Sequence, residues 1–235
     1  MDIVGAGPPS AAQIRDRYER LLVGLRAAAE ANGHDPGRLR IVAVTKTQPL
    51  GVVRAAVGAG VNRLGENRVQ EAEPKIAAIP EAEWHLVGRL QSNKARRAVR
   101  LFATIHSIDS VDLLRRVAAI AQEEDSHPAL LLQVNVTGEA SKAGMPPGEV
   151  LASATIEAVR DVGPVGLMTI APMGASVHEA RAVFADLRLL RDRLEQAAGI
   201  GLPELSMGMT ADAESAVSEG ATLVRIGTAI FGPRL

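Results

Sequence analysis

Lys46 stands directly behind the apolar run Ile41-Val-Ala-Val-Thr45. Burial at such a strand end disfavours the charged form of an amine, which frees a nucleophile for Schiff-base chemistry with a carbonyl compound. The competing role is that of a surface lysine, and spacing alone does not choose between the two. Two glycine-bearing stretches sharpen the choice: Leu205-Ser206-Met207-Gly208-Met209-Thr210 and Val224-Arg225-Ile226-Gly227-Thr228. Glycine lets the backbone come close to an anion, and the N–H groups of a following helix face it. Ser206 and Thr228 add hydroxyl donors. One such stretch is an ordinary turn; two at the ends of successive strands read as a phosphate site.

Other polar groups cluster at apolar-run ends. Glu66, within Gly65-Glu66-Asn67-Arg68, is either catalytic or a helix-start carboxylate paired with a neighbour. His85 and His106 are candidate acid–base groups, although a hydrogen-bonded structural histidine is the commoner role. No His-x-x-His or carboxylate–His spacing suits a metal, so none is expected. Met168 is either an apolar wall for a planar ligand or a core residue. The stretch Asn135 to Met145 is polar and bounded by Gly138 and Gly144. It reads as a mobile loop over the site, on which Lys142 is either a solvated charge, the commoner role, or an amine that accepts or relays a carbonyl group.

These residues need a frame. Ser10 caps a helical pattern that Asn32-Gly33 stops. Beyond it, short apolar runs alternate with helical patterns of about 10–15 residues. The predicted strands are Arg40–Thr45, Arg63–Gly65, Trp84–Val87, Thr104–Ser107, Ala129–Asn135, Val165–Met168, Glu204–Ser206 and Thr222–Ile226. The predicted helices are Leu50–Ala59, Arg68–Ala77, Asn93–Leu101, Ser110–Glu124, Pro147–Asp161, Val177–Ala198 and Ala211–Glu219. Strands this apolar suit a parallel sheet buried on both faces. Eight βα steps predict an α/β fold, a (β/α)8 TIM-type barrel with an extra N-terminal helix. An open doubly wound sheet is the alternative, and the lack of Gly-x-Gly-x-x-Gly after the first strand counts against its dinucleotide-binding form. In a barrel, chemistry sits at the C-terminal strand ends, and a phosphate after strands seven and eight.

No linker interrupts residues 1–235, so a single domain is expected, with the first residues a frayed terminus. The net charge of −1 and the few aromatic residues argue against nucleic acid. The one basic stretch, Lys94 to Arg100, alternates with apolar residues as a solvated helix face does. No apolar run is long enough to span a membrane, and no signal-peptide pattern opens the chain. The absence of cysteine excludes disulfides and thiol catalysis and fits the cytoplasm.

Taken together, Val44-Thr-Lys46, Leu64-Gly-Glu-Asn67-Arg-Val-Gln70-Glu71, Trp84-His-Leu-Val-Gly88-Arg-Leu-Gln91-Ser-Asn93-Lys94, Gly166-Leu-Met-Thr-Ile-Ala-Pro172 and the two glycine stretches resemble the pyridoxal phosphate homeostasis proteins. These are barrel-only relatives of the N-terminal domain of alanine racemase. Val87 and Thr210 depart from the usual isoleucine and serine but preserve size or hydroxyl chemistry. The resemblance implies pyridoxal 5'-phosphate (PLP) held as a Schiff base on Lys46. It implies phosphate contacts from Ser206, Gly208, Gly227 and Thr228, with Asn67 and Met168 near the ring. Arg225 would meet the phosphate or the pyridine nitrogen.

A PLP enzyme also needs an acid or base over the substrate and benefits from a protonated ring nitrogen. Neither group is evident, the sole tyrosine, Tyr18, lies on the first helix, and the chain ends soon after the barrel. The expectation is a cytoplasmic, monomeric, non-catalytic protein of PLP homeostasis that buffers PLP or delivers it, with apo PLP-dependent enzymes as candidate recipients. An amino-acid racemase is the alternative, and a cofactor-free aldolase acting on a phosphosugar is a third reading.

Overall fold

The computed structural model describes residues 7–139 and 142–233; the terminus expected to fray lies mostly outside them. Helix α1 (Ala11–Ala31) opens on a capping box in which Ser10 and Gln13 exchange side-chain and backbone hydrogen bonds. Gly33, with φ 76°, turns the chain out of it.

Eight strands follow: β1 (Arg40–Val44), β2 (Arg63–Glu66), β3 (Glu83–Leu86), β4 (Thr104–Ile108), β5 (Ala129–Gln133), β6 (Gly166–Met168), β7 (Glu204–Ser206) and β8 (Leu223–Ile226). Between them run α2 (Leu50–Gly58), α3 (Val69–Ala78), α4 (Ala95–Leu101), α5 (Val111–Glu123), α6 (Pro147–Val150), α7 (Ser153–Val162), α8 (Val177–Ala198) and α9 (Ala213–Ser218), with α10 (Thr228–Phe231) after β8. All neighbouring strands are parallel, and β8 closes on β1 through Arg40↔Leu223 to Ala43↔Ile226. That closure excludes the open sheet.

Two departures from expectation have local causes. The helix predicted over Pro147–Asp161 is broken at Ala152, whose ψ of 148° is extended. The buried Thr155 hydroxyl donates to the Glu149 carbonyl (2.7 Å), so a side chain takes a place that the helical ladder would fill. Helix α10 is additional, with Gly227 at its N-cap.

Residues alternate between the two faces of each strand. Ile41, Ala43, Leu130, Leu132, Val224 and Ile226 face the surrounding helices, while Val42, Leu131, Met168 and Leu223 form a small apolar cluster inside the barrel. Much of the remaining interior is polar, which is unusual for a barrel filled by branched aliphatics. The basic stretch on α4 is matched by acid: Arg96 and Arg100 pair with Glu124, and Arg97 pairs with Glu73. Among the described residues no helix is long and apolar enough to cross a membrane.

Candidate functional site

Lys46 follows β1 in the parity of the inward-facing Val42, and is half-buried. It sits in a tight turn closed by Gln48 N–H donating to the Thr45 carbonyl (3.0 Å). The third residue of that turn, Thr47, has φ 66°. A turn of this kind calls for glycine or asparagine there, and a β-branched residue in the left-handed region is strained. We predict that Thr47→Gly raises unfolding stability by about 0.5–1 kcal/mol, the relief of left-handed strain less the entropy cost of glycine. Urea unfolding measures it, and a loss of stability would show that Thr47 makes compensating contacts.

The base of this turn is tied down from α3. Lys75 Nζ donates to the Thr45 carbonyl (2.8 Å) and to Glu66 Oε1 (2.7 Å), which also accepts from Thr45 Oγ1 (2.7 Å). Glu66 is fully buried. Its partner is therefore Lys75, not the adjacent Asn67 or Arg68; Arg68 pairs with Glu71.

The two glycine stretches lie beside this turn. At Gly208 φ is 88°, and an added Cβ would come within 2.5 Å of Ala216 Cβ, so only glycine fits. Gly227 is different. A Cβ there would meet nothing closer than the Val44 carbonyl oxygen at 3.5 Å. Packing does not demand that glycine, since a Cβ would make only ordinary contact with Val44; its absence lets a ligand group come closer to the backbone. Thr228 and Thr210 are exposed at this rim.

Ser206 and Arg225 lie deeper. Arg225 is 5% exposed, donating from NH1 to Ser206 Oγ (2.6 Å) and from NH2 to the Thr169 carbonyl (2.9 Å). Burial pushes its guanidinium pKa down to about 10, countered by the charge of Asp212. No carboxylate hydrogen-bonds it among the described residues. The Ser206 hydroxyl also meets His106 Nδ1 (2.8 Å), so its hydrogen-bonding capacity is engaged inside the barrel. Beyond Ser206, Met209 and Thr210 of the β7 turn are exposed.

The contacts continue. His106 Nε2 meets His85 Nδ1 (2.9 Å), and His85 Nε2 meets Glu83 Oε1 (3.0 Å), which pairs through its other oxygen with Arg63 (3.0 Å). Burial, with the neighbouring His85 and the positive charges of Arg225 and Arg40, holds His106 well below the usual imidazole range. Both histidines are hydrogen-bonded, as the commoner role required. Glu83 escaped the sequence reading, although its two-residue offset from His85 puts both on one strand face.

Asn67 is half-buried at the end of β2, pressed against Gly88, whose added Cβ would lie 2.2 Å from the Asn67 carbonyl oxygen. A cavity of about 300 Å³ opens there, lined among others by Asn67, Val87, Gln133, Asn135 and Lys142. Lys142 pairs with Glu139 (2.8 Å), and Asn135 Nδ2 donates to the Glu139 carbonyl (2.9 Å), so the loop folds back on itself. Met168 is fully buried in the interior cluster, below this cavity's lining. Tyr18, half-buried on α1, lies near Arg63 at the start of β2, away from the mouth.

The model of the family described as "Alanine racemase, N-terminal domain" matches residues 26–234. A Synechocystis sp. protein named pyridoxal phosphate homeostasis protein is 40% identical over 204 residues, 85% of this chain and 94% of that relative. One from Pseudomonas aeruginosa with the same name is 42% identical over 228 residues, 94% of this chain and 96% of the relative. The structure of PipY from Synechococcus elongatus with PLP bound superposes with a TM-score of 0.81 at 40% identity, covering 93% of this chain and 100% of that one. A D-threo-3-hydroxyaspartate dehydratase from Delftia sp., at 19% identity and a TM-score of 0.68, shares the fold. The chain therefore belongs to the alanine racemase N-terminal domain family and, within it, to the pyridoxal phosphate homeostasis proteins.

Proposed function

We propose that this protein binds PLP at the barrel mouth through Lys46 and serves PLP homeostasis by holding and releasing it without turning over a substrate. When bound, PLP supplies an aldehyde that condenses with a lysine amine, together with an aromatic ring and a phosphate. The residues fit these three parts. Lys46 offers the amine, and Gly208, Gly227 and Thr228 offer backbone approach and donors for the phosphate. Asn67 borders the space for the ring, while Ser206 and Met168 underlie it.

The observation that carries the non-catalytic reading is Arg225. Its guanidinium is buried without a carboxylate hydrogen-bond partner among the described residues and faces the interior below the mouth. A fixed cation under the ring nitrogen disfavours protonation there, which weakens the ring as an electron sink. The lone tyrosine is too remote to act as a base over the site. The reading further includes a monomer in the cytoplasm that passes PLP to apo-enzymes.

Purified protein mixed with PLP should turn yellow, reactivate an apo-PLP enzyme and show no racemisation of amino acids. Sustained racemisation would replace this reading with the racemase one. Lys142 lines the cavity and has an amine on the loop beside it. We expect Lys142→Ala to slow PLP transfer to an apo-enzyme severalfold with little change in equilibrium binding. A wild-type transfer rate in stopped-flow absorbance would remove Lys142 from the release path.

A further inference from the structure

The interior contacts form one unbroken line: Glu83, His85, His106, Ser206, Arg225. It starts where Glu83 is partly exposed at the N-terminal end of β3 and ends at the guanidinium beneath the mouth. We propose that Glu83, His85, His106 and Ser206 are positioning residues, a one-directional hydrogen-bond relay that fixes Arg225 from the far face of the barrel. The proposal rests on the PLP-binding reading for what Arg225 then does.

The direction follows from the two ends. The Glu83 carboxylate only accepts, so His85 carries its hydrogen on Nε2. In our assignment His85 carries no second hydrogen, so its bare Nδ1 accepts from Nε2–H of His106. A neutral His106 has a bare Nδ1 in turn, which accepts the Ser206 hydroxyl hydrogen. That leaves the Ser206 oxygen to accept, and Arg225 NH1 only donates. The order deduced from Glu83 arrives at Arg225 with the right sign, so every group in the line is satisfied in a single pattern.

A neutral His106 suits its full burial. The histidines lie among Arg40 on β1, Arg63 on β2 and Arg225 on β8, against Glu83 on β3 and Glu204 on β7. Asp212 adds a third carboxylate near Arg225, so the named charges balance, and a further buried positive charge on His106 would be unpaired and costly. Removing the accepting end frees His85 to invert. His106 would then donate to Ser206, and Arg225 would lose its exclusive hold on that oxygen.

Imidazole 15N NMR on the PLP-free protein tests the relay by itself. Both rings of the wild type should show a protonated Nε2 and a bare Nδ1. Glu83→Leu should give mixed tautomers, while Glu83→Gln, whose side-chain carbonyl still accepts, should restore the pattern. In a parallel absorbance titration with PLP, Glu83→Leu should weaken binding about 3–10-fold, a loss of roughly 0.7–1.4 kcal/mol, and Glu83→Gln should recover most of it. Ser206→Ala provides a second break in the line if Glu83→Leu does not fold, and should weaken binding at least as much. A wild-type ring protonated on Nδ1, or unchanged tautomers and affinity in Glu83→Leu and Ser206→Ala, would overturn the relay. Wild-type protein that shows the tautomers but binds no PLP would refute the PLP reading and leave the relay standing.

Discussion

Lys46→Ala should abolish borohydride-reducible attachment of PLP while leaving the barrel folded. The side chain is half-buried, and its amine makes no hydrogen bond or ion pair with another described residue. Its truncation thus breaks no structural contact, and a stability change within about 0.5 kcal/mol is expected for such a site. The loss is chemical. With the amine gone, only phosphate and ring contacts remain, and affinity should fall on the order of 100-fold, or about 2.8 kcal/mol. After reduction and digestion, a pyridoxyl mass should appear on the wild-type peptide bearing Lys46 and on no peptide of the variant. Labelling of the variant at wild-type yield on Lys75 or Lys142 would displace Lys46 from its role. A wild type that carries no label would point to the cofactor-free aldolase reading.

The frame that presents Lys46 was readable from sequence because it depends on local patterns. Ser10 caps α1 as its position before the helical pattern indicated, and eight apolar runs became eight strands. The glycine stretches after β7 and β8 were visible because glycine has a specific backbone use. What escaped depends on contacts between segments distant in sequence. Nothing near Glu66 in the chain reveals that Lys75, one helix on, supplies its countercharge. Nothing near Ser206 in the chain reveals that β4 and β8 bring His106 and Arg225 to its hydroxyl. His85 and His106 each looked like an isolated histidine, and their connection exists only once β3 and β4 pair. Thr47 runs against its own propensity, since β-branched residues avoid positive φ; such strain is imposed by the surroundings.

The Lys75 contact has the larger consequence for stability. Glu66 is fully buried, its Oε2 has no hydrogen-bond partner among the described residues, and Oε1 depends on Lys75 and Thr45. The Lys75 side chain is 13% exposed, so little water reaches the pair. Removing one partner of a buried pair strands the other, at a cost of about 3–5 kcal/mol. Lys75→Met, which keeps the length of the stem, should lower unfolding free energy by that amount in urea. The double variant Lys75→Met with Glu66→Gln should recover most of the loss, because the stranded charge is gone and the amide can still bond Thr45. A loss of less than about 1 kcal/mol in the single variant would mean that the pair behaves as a solvated surface bridge. Lys75 also donates to the Thr45 carbonyl, the last acceptor before Lys46. The double variant, folded but lacking that bond, should therefore bind PLP more weakly than wild type. That residual deficit separates the anchoring of the Lys46 turn from the charge balance of the wall behind it.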